Sequence, residues 1–362
     1  MRVSDIINPN RRKLSHNEEA YSQDAILETA SCEQELGGTG VAAADDRQRD
    51  WKVQIGAGMS SEICHVERCF FCDSTALRQT HAGLYHTVKP DHGPFAFHRC
   101  TACGSGLTLS PPSRDQLTAL YGFYQDGLPE LYRTITRDDP QSALYRLAVK
   151  RLMRLANPLP TSTWLDVGAG GGELSLILAD VFPRGRGTGI DLHDRPVILA
   201  GHERINWLRV DINHDEYAAE VGGGADVVMS TAVWEHVLYP DRFVRNLLRL
   251  VNPGGALYLL CPDYGSLARR VMGRRWPYFV PGEHLNMPTP AGALACLARV
   301  WRELHGAGPL PVIHCRPLAL PYTFRYVLRR FGWDGIGRLL PSQLGIPLPV
   351  GALEIVLLSP RD

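Results

Sequence analysis

Of the nine cysteines in this 362-residue chain, four form two C-x-x-C pairs, Cys69/Cys72 and Cys100/Cys103, with 27 residues between them. Each pair is followed by small or polar residues, Asp73-Ser74 and Gly104-Ser105. Two such turns can converge four thiolates tetrahedrally on Zn2+ while backbone amides donate to the sulfurs. A complete thiolate set leaves no open coordination position. The predicted metal is therefore structural, and it folds its segment instead of reacting. Cys64 and His65, just upstream, are weaker alternative ligands, and the other cysteines read as buried or incidental thiols.

A second constellation begins at TWLDVGAGGGEL, residues 163–174, where a short apolar run leads directly into Gly168, Gly170 and Gly172. Glycines there permit a tight turn and let a nucleoside-bearing ligand lie against the backbone at a strand end. The glycine triplet alone is weak, and two acids strengthen it. Asp191 closes the run RGTGID, where a carboxylate can accept both hydroxyls of a ribose. Asp211 closes INWLRVD, where a carboxylate can take an adenine amino group.

Positioning those acids requires strands that end along one edge. Apolar strand-like runs at 163–167, 186–190, 205–210, 225–230 and 256–260 alternate with helical segments, the pattern of a parallel sheet with crossover helices. Two further strands are predicted at 311–315 and 353–359. Helical spacing runs through Leu117, Leu120, Tyr121 and Tyr124, and again from Leu144 to Leu155 before Pro158. The predicted organisation is a disordered segment over 1–58, a zinc-ribbon module over 62–112, a helical connector over 113–157 and a main α/β domain over 158–362. That domain carries an insertion near 317–350, in which Phe324, Val327, Leu328 and Phe331 make an apolar stripe at helical spacing, read as packing.

Net charge is zero at 44% hydrophobic content, which argues against a large nonspecific nucleic-acid footprint. Within 62–110, Arg68, Arg78, Lys89 and Arg99 are offset by Glu62, Glu67, Asp73 and Asp91, so the cysteine module carries no basic patch either. Residues 264–362, with 12 arginines and 5 acids, are basic. No signal-peptide core and no run of 18 apolar residues occurs, so no membrane span and a cytoplasmic location are expected. Oligomeric state leaves no mark in the sequence.

The ordered set over about 160–265 resembles class I S-adenosylmethionine-dependent methyltransferases. The G-x-G-x-G spacing fits that family, whereas a dinucleotide fingerprint needs glycine where Glu173 stands. The resemblance implies a Rossmann-like, doubly wound, seven-stranded sheet. It also implies that Asp166, Gly168, Gly170 and Gly172 line the methionine part of S-adenosylmethionine, that Asp191 holds its ribose, and that Asp211 with Ile212 flanks adenine. The order of zinc ribbon, Pro-Pro turn, Tyr-containing helix and methyltransferase strands is similar to a bacterial group acting on sugars and natural products, in which a segment like Trp276 to Leu285 recurs. The expected reaction is methylation of an O, N or C nucleophile on a small molecule. RNA or protein methylation with the zinc module as docking element, or a non-catalytic cofactor-binding scaffold, are the alternatives.

In-line displacement at a sulfonium needs alignment and exclusion of water, and a base only if the acceptor must lose a proton. His236, after the fourth strand, and His284, in a loop rich in aromatics, are the candidates to orient or deprotonate an acceptor. Trp234, Glu235, Tyr278 and Glu283 are their nearest chemical neighbours in sequence.

Overall fold

The computed structural model describes residues 67–84, 94–109, 111–117, 121, 140–280, 282–323, 328, 333–337, 339 and 345–361. The disordered segment expected over 1–58 and most of the 324–331 stripe lie outside the described residues.

In chain order the elements are β1 (Leu77–Leu84), β2 (Pro94–Cys100), β3 (Gly106–Thr108), α1 (Pro140–Ala156), β4 (Trp164–Val167), α2 (Glu173–Val181), β5 (Gly187–Asp191), β6 (Ile205–Arg209), α3 (Tyr217–Val221), β7 (Ala225–Thr231), α4 (Pro240–Arg249), β8 (Val251–Pro262), α5 (Leu267–Met272), β9 (Asn286–Met287), α6 (Pro290–His305), β10 (Val312–Thr323), α7 (Asp334–Gly337) and β11 (Gly345–Leu358). Seven strands form one sheet in the order β10-β11-β8-β7-β4-β5-β6. The five from β4 to β8 are parallel, and β11 is antiparallel to both β8 and β10. The fold is Rossmann-like and doubly wound. Because helices cover both faces, central strands such as β4 and β7 read as continuous apolar runs instead of alternating ones.

Helix boundaries follow local chemistry. Thr289 caps α6 by accepting from the Gly292 N–H, with Pro290 in the first turn, and the buried stripe Ala293, Cys296, Leu297, Val300 and Trp301 faces the core. In α4, Phe243, Val244, Leu247 and Leu248 do the same. No helix among the described residues is long and apolar enough to cross a membrane.

Two features exceed the sequence-based expectation. The final strands run far past 311–315 and 353–359, and pair from Val312↔Leu358 to Thr323↔Gly345 with a bulge between Leu318 and Leu320. Pro317 and Pro321 hid β10, yet an edge strand tolerates proline. Pro347 and Pro349 hid β11, but β8 pairs only with Ala352 to Leu358, so both lie on the two-stranded part of the hairpin. The second feature is that the cysteine module is not self-contained. Its sheet runs β1-β2-β3-β9, and β9 arrives from far downstream, just before α6.

Phe71, between the first two cysteines, is fully buried and meets the Trp234 ring edge-on at 5.6 Å. The Ser105 Oγ accepts the Thr289 N–H (3.1 Å), and the Thr289 hydroxyl donates to the Cys103 carbonyl (2.6 Å). The N-cap of α6 is thus also the mortar between module and domain.

Candidate functional site

Strands β4, β5 and β6 lie side by side and bring their carboxyl ends to one edge, where ligands bind in open α/β sheets. The N–H groups of Gly168 and Ala169 both donate to the Ile190 carbonyl, at 2.8 and 3.0 Å, which staples the glycine turn to β5. Asp191 locks it further. Its Oδ2 accepts the Gly170 N–H at 2.8 Å, and its Oδ1 accepts the His193 N–H (3.1 Å) and the His193 Nδ1–H (2.8 Å). That bond to Asp191 raises the His193 pKa above its usual value.

The glycines of the turn differ in surroundings. A Cβ on Gly168 would stand 2.3 Å from the Val233 Cγ2, so the segment after β7 packs directly on the turn. A Cβ on Gly170 would meet nothing within 4 Å. Gly170 has a φ of +50° and opens onto space, a fit for a ligand lying against the backbone.

Asp166, in β4, is buried and accepts from the Ser175 hydroxyl at 2.7 Å. Burial pushes its carboxyl up to about 7, with the nearby charges of Glu173 and Asp191 acting in the same direction. Asp211, just past β6, accepts the Arg114 Nε–H at 2.6 Å and the Asn213 N–H at 2.9 Å, and Ile212 beside it is half-buried against the core. Sequence reasoning missed Arg114. A signal was present in part: Ser113 and Gln116 form a capping box, the Gln116 N–H donating to the Ser113 Oγ and the Ser113 N–H to the Gln116 Oε1. That box starts a helix at Arg114, but nothing local names its partner 97 residues away.

The chain after β7 forms the other half. Trp234 is buried and donates its indole N–H to the Pro240 carbonyl at 3.0 Å, so it is an apolar wall held in place. Glu235 is 2% exposed, its Oε2 has no hydrogen-bond partner, and burial pushes its carboxyl up to about 8. The backbone carbonyl of Glu235 accepts the N–H groups of both Leu285 and Asn286, at 2.7 and 3.1 Å, which ties the loop before β9 to this segment. His284 therefore meets His236, ring to ring, at 4.7 Å and nearly perpendicular. The Nδ1 of His236 lies 3.0 Å from the Glu283 carbonyl, and the Nδ1 of His284 lies 2.6 Å from the Tyr278 carbonyl. Burial holds His236 well below its usual pKa and His284 at about 4, so both rings are neutral near pH 7. The two histidines singled out in the sequence are thus brought together.

The aromatic loop from Trp276 to Phe279 packs on the cysteine module, with Phe279 5.4 Å from Phe97 and 4.8 Å from His81. In that module the Cys69 and Cys103 Sγ atoms are 3.7 Å apart, those of Cys72 and Cys100 3.6 Å, and all four lie within 4.8 Å of one another. A tetrahedral ion with bonds of ~2.3 Å sets sulfurs ~3.8 Å apart, so the cluster fits zinc. The two knuckles repeat one hydrogen-bond pattern: the Asp73 N–H donates to the Cys69 carbonyl and the Gly104 N–H to that of Cys100, at 2.8 and 2.9 Å.

Residues 141–299 match the family model described as a methyltransferase domain. Among curated relatives, the ubiquinone biosynthesis O-methyltransferase of Pseudomonas paraeruginosa (strain DSM 24068 / PA7) is 40% identical over 106 residues, 28% of this chain and 44% of that protein. The protein of the same name from Escherichia coli O9:H4 (strain HS) is 35% identical over 135 residues, 35% of this chain and 52% of that protein. The chain spans about half the length of the curated relatives it matches. Among solved structures, the [4+2]-cyclase SpnF aligns with a TM-score of 0.45 and 18% identity, over 70% of this chain and 98% of that one. The plantazolicin methyltransferase BpumL, solved with SAH, aligns at 0.42 and 14%, over 68% and 94%.

Proposed function

We propose that this chain transfers the methyl group of S-adenosylmethionine to a nucleophile on a small molecule. The observation that carries the reading is the edge formed by Asp166 in β4, Asp191 at the end of β5 and Asp211 just past β6, beside a glycine turn whose Gly170 faces open space. Carboxylates there suit a ligand with a cationic end, a ribose and an adenine. Asp191 accepts three hydrogen bonds, one from Gly170 and two from His193, so of the about four lone-pair sites of a carboxylate one is left for a ribose hydroxyl. Ile212 is suited to cover the adenine face and Asp211 its amino group. The proposed zinc ion, held by Cys69, Cys72, Cys100 and Cys103, has no open position and serves to fold the module.

In the transfer the S–CH3 bond would break with sulfur keeping the electron pair, the acceptor atom would form the new bond to carbon, and the proton it loses would pass to bulk solvent once the methyl group is in place. Trp234 and the Trp276–Phe279 loop exclude water from that step. Neutral imidazoles orient an acceptor through hydrogen bonds. With a conjugate acid near pKa 4, His284 is a poor base for an alcohol, so His236 and His284 position the nucleophile in this reading and do not deprotonate it. The printed names of the relatives favour oxygen as the acceptor atom.

Calorimetry with S-adenosylmethionine and its demethylated product on zinc-loaded protein tests the donor site. Asp191→Ala should weaken binding by roughly 10–100-fold, the loss of one hydrogen bond to a charged group, with the far-UV spectrum unchanged. Equal affinity in the variant removes the ribose contact from the scheme. Incubation with a labelled methyl donor and extract of the native host then identifies the acceptor; label confined to RNA overturns the small-molecule assignment.

A further inference from the structure

We infer that Glu235, His236 and His284 form a second metal site, an open one, for a divalent first-row transition ion. One ligand atom from each residue lies within 4.8 Å of the others, with the His236 Nε2 4.0 Å from the Glu235 Oε1. Donors around a tetrahedral ion bound at ~2.1 Å lie about 3.4 Å apart, so a small side-chain adjustment closes the set.

Three independent observations point to a cation. Backbone carbonyls only accept, so the Nδ1 atoms of His236 and His284 must carry their protons, and in each neutral ring the lone pair is on Nε2. A metal-binding histidine is held in this way, its second nitrogen donating to a carbonyl that fixes both tautomer and ring orientation. Next, the Glu235 carboxyl group is almost wholly buried with Oε2 unpartnered, an arrangement that costs free energy unless a partner joins it. Finally, the site is built from two chain segments locked together by the paired N–H donations of Leu285 and Asn286 to the Glu235 carbonyl, so the three donors are preorganised.

The donor set selects the ion. Two imidazoles and one carboxylate suit Zn2+, Mn2+, Co2+ or Fe2+ more than Mg2+ or Ca2+, which favour all-oxygen cages. Three protein ligands also leave positions open, unlike the four thiolates of the module. Val233 packs on Gly168, so the segment that carries Glu235 and His236 lies against the glycine turn. Use of those positions to hold an acceptor oxygen rests on the methyl-transfer reading; the site itself does not.

Protein first saturated with zinc at its cysteines, with excess metal removed, is titrated with Co2+ and followed by absorption, and with Mn2+ followed by electron paramagnetic resonance. The expected result is one further equivalent bound, with weak d–d bands and no thiolate charge-transfer band. Affinity should fall by more than about 100-fold in Glu235→Gln and in His284→Ala, since even the loss of supporting residues around a metal costs 10–100-fold. Far-UV spectra and S-adenosylmethionine binding, measured on the same samples, check that both variants are folded. Binding of no further equivalent, a thiolate band, or affinity unchanged in a folded variant overturns the site. Metal binding in a protein that ignores S-adenosylmethionine supports the site and sinks only the methyl-transfer reading.

Discussion

The two halves of the seven-stranded sheet are built in contrasting ways. On the β4-β5-β6 side every acid is placed by its own strand, and the glycine turn and Asp191 are joined across only 21 residues. On the β7-β8 side His236 and His284 approach across 48 residues, and they do so because β9 is captured by a cysteine module located nearly 180 residues earlier. The first half is a local device repeated along an edge. The second is an assembly of distant pieces.

The largest test of that contrast is removal of the proposed zinc ion. Apparent binding free energies of structural zinc in small domains reach about 10–16 kcal/mol, so a strong chelator should unfold residues 67–84 and 94–109. Hydrogen exchange should then accelerate there and across 276–289, while β4, β5 and β6 stay protected. Uniform loss of protection over the whole chain would show that the halves are one cooperative unit.

A smaller break targets the joint between module and sheet. Phe71→Ala empties a fully buried ring site against Trp234 and should cost about 3–5 kcal/mol in urea unfolding. Methyl transfer should fall while S-adenosylmethionine affinity in the folded protein stays within about twofold. An equal loss of both would place the module in contact with the donor half.

The same contrast explains what the sequence disclosed. Strands β4 to β8, the glycine turn and the acids at its edge were legible, because period, punctuation and motif all lie within one segment. The convergence of the two cysteine pairs was legible because each C-x-x-C makes its own tight turn. What stayed hidden depends on contacts between segments: the two-residue β9, the pairing of Arg114 with Asp211, and the depth at which Phe71 is buried. Glu354 is intermediate. A lone acid in the apolar strand β11 signals a partner, but only the fold shows that it accepts from Tyr258 (3.0 Å) and Arg316 (2.7 Å) and faces Arg151 at 3.2 Å.

Within the donor half, pH should act through Asp166. Its carboxyl, held near 7 by burial, is largely protonated below that pH, and a cationic ligand prefers the ionised form. Donor affinity should therefore rise by up to about tenfold per pH unit as pH climbs toward 7, then level off. Asp166→Asn should flatten the profile. A wild-type profile with no slope would place the cationic end of the ligand away from Asp166.

The smallest effect distinguishes two roles for Arg114. Its ion pair with Asp211 is short, but the guanidinium side chain is 47% exposed, so solvent screening limits the pair to about 0.2–1 kcal/mol. If Arg114 competes with adenine for the Oδ2 of Asp211, Arg114→Ala should tighten S-adenosylmethionine binding by up to about fivefold. Added salt should have the same effect on the wild type, by screening the pair, and little effect on the variant. If Arg114 instead pins its helix over a bound nucleoside, the variant binds more weakly and salt weakens the wild type. The capping box and the 2.6 Å contact with the carboxylate are common to both roles. The competing role is favoured because the Asn213 N–H already takes the other oxygen, leaving Oδ2 as the better acceptor for an incoming amino group.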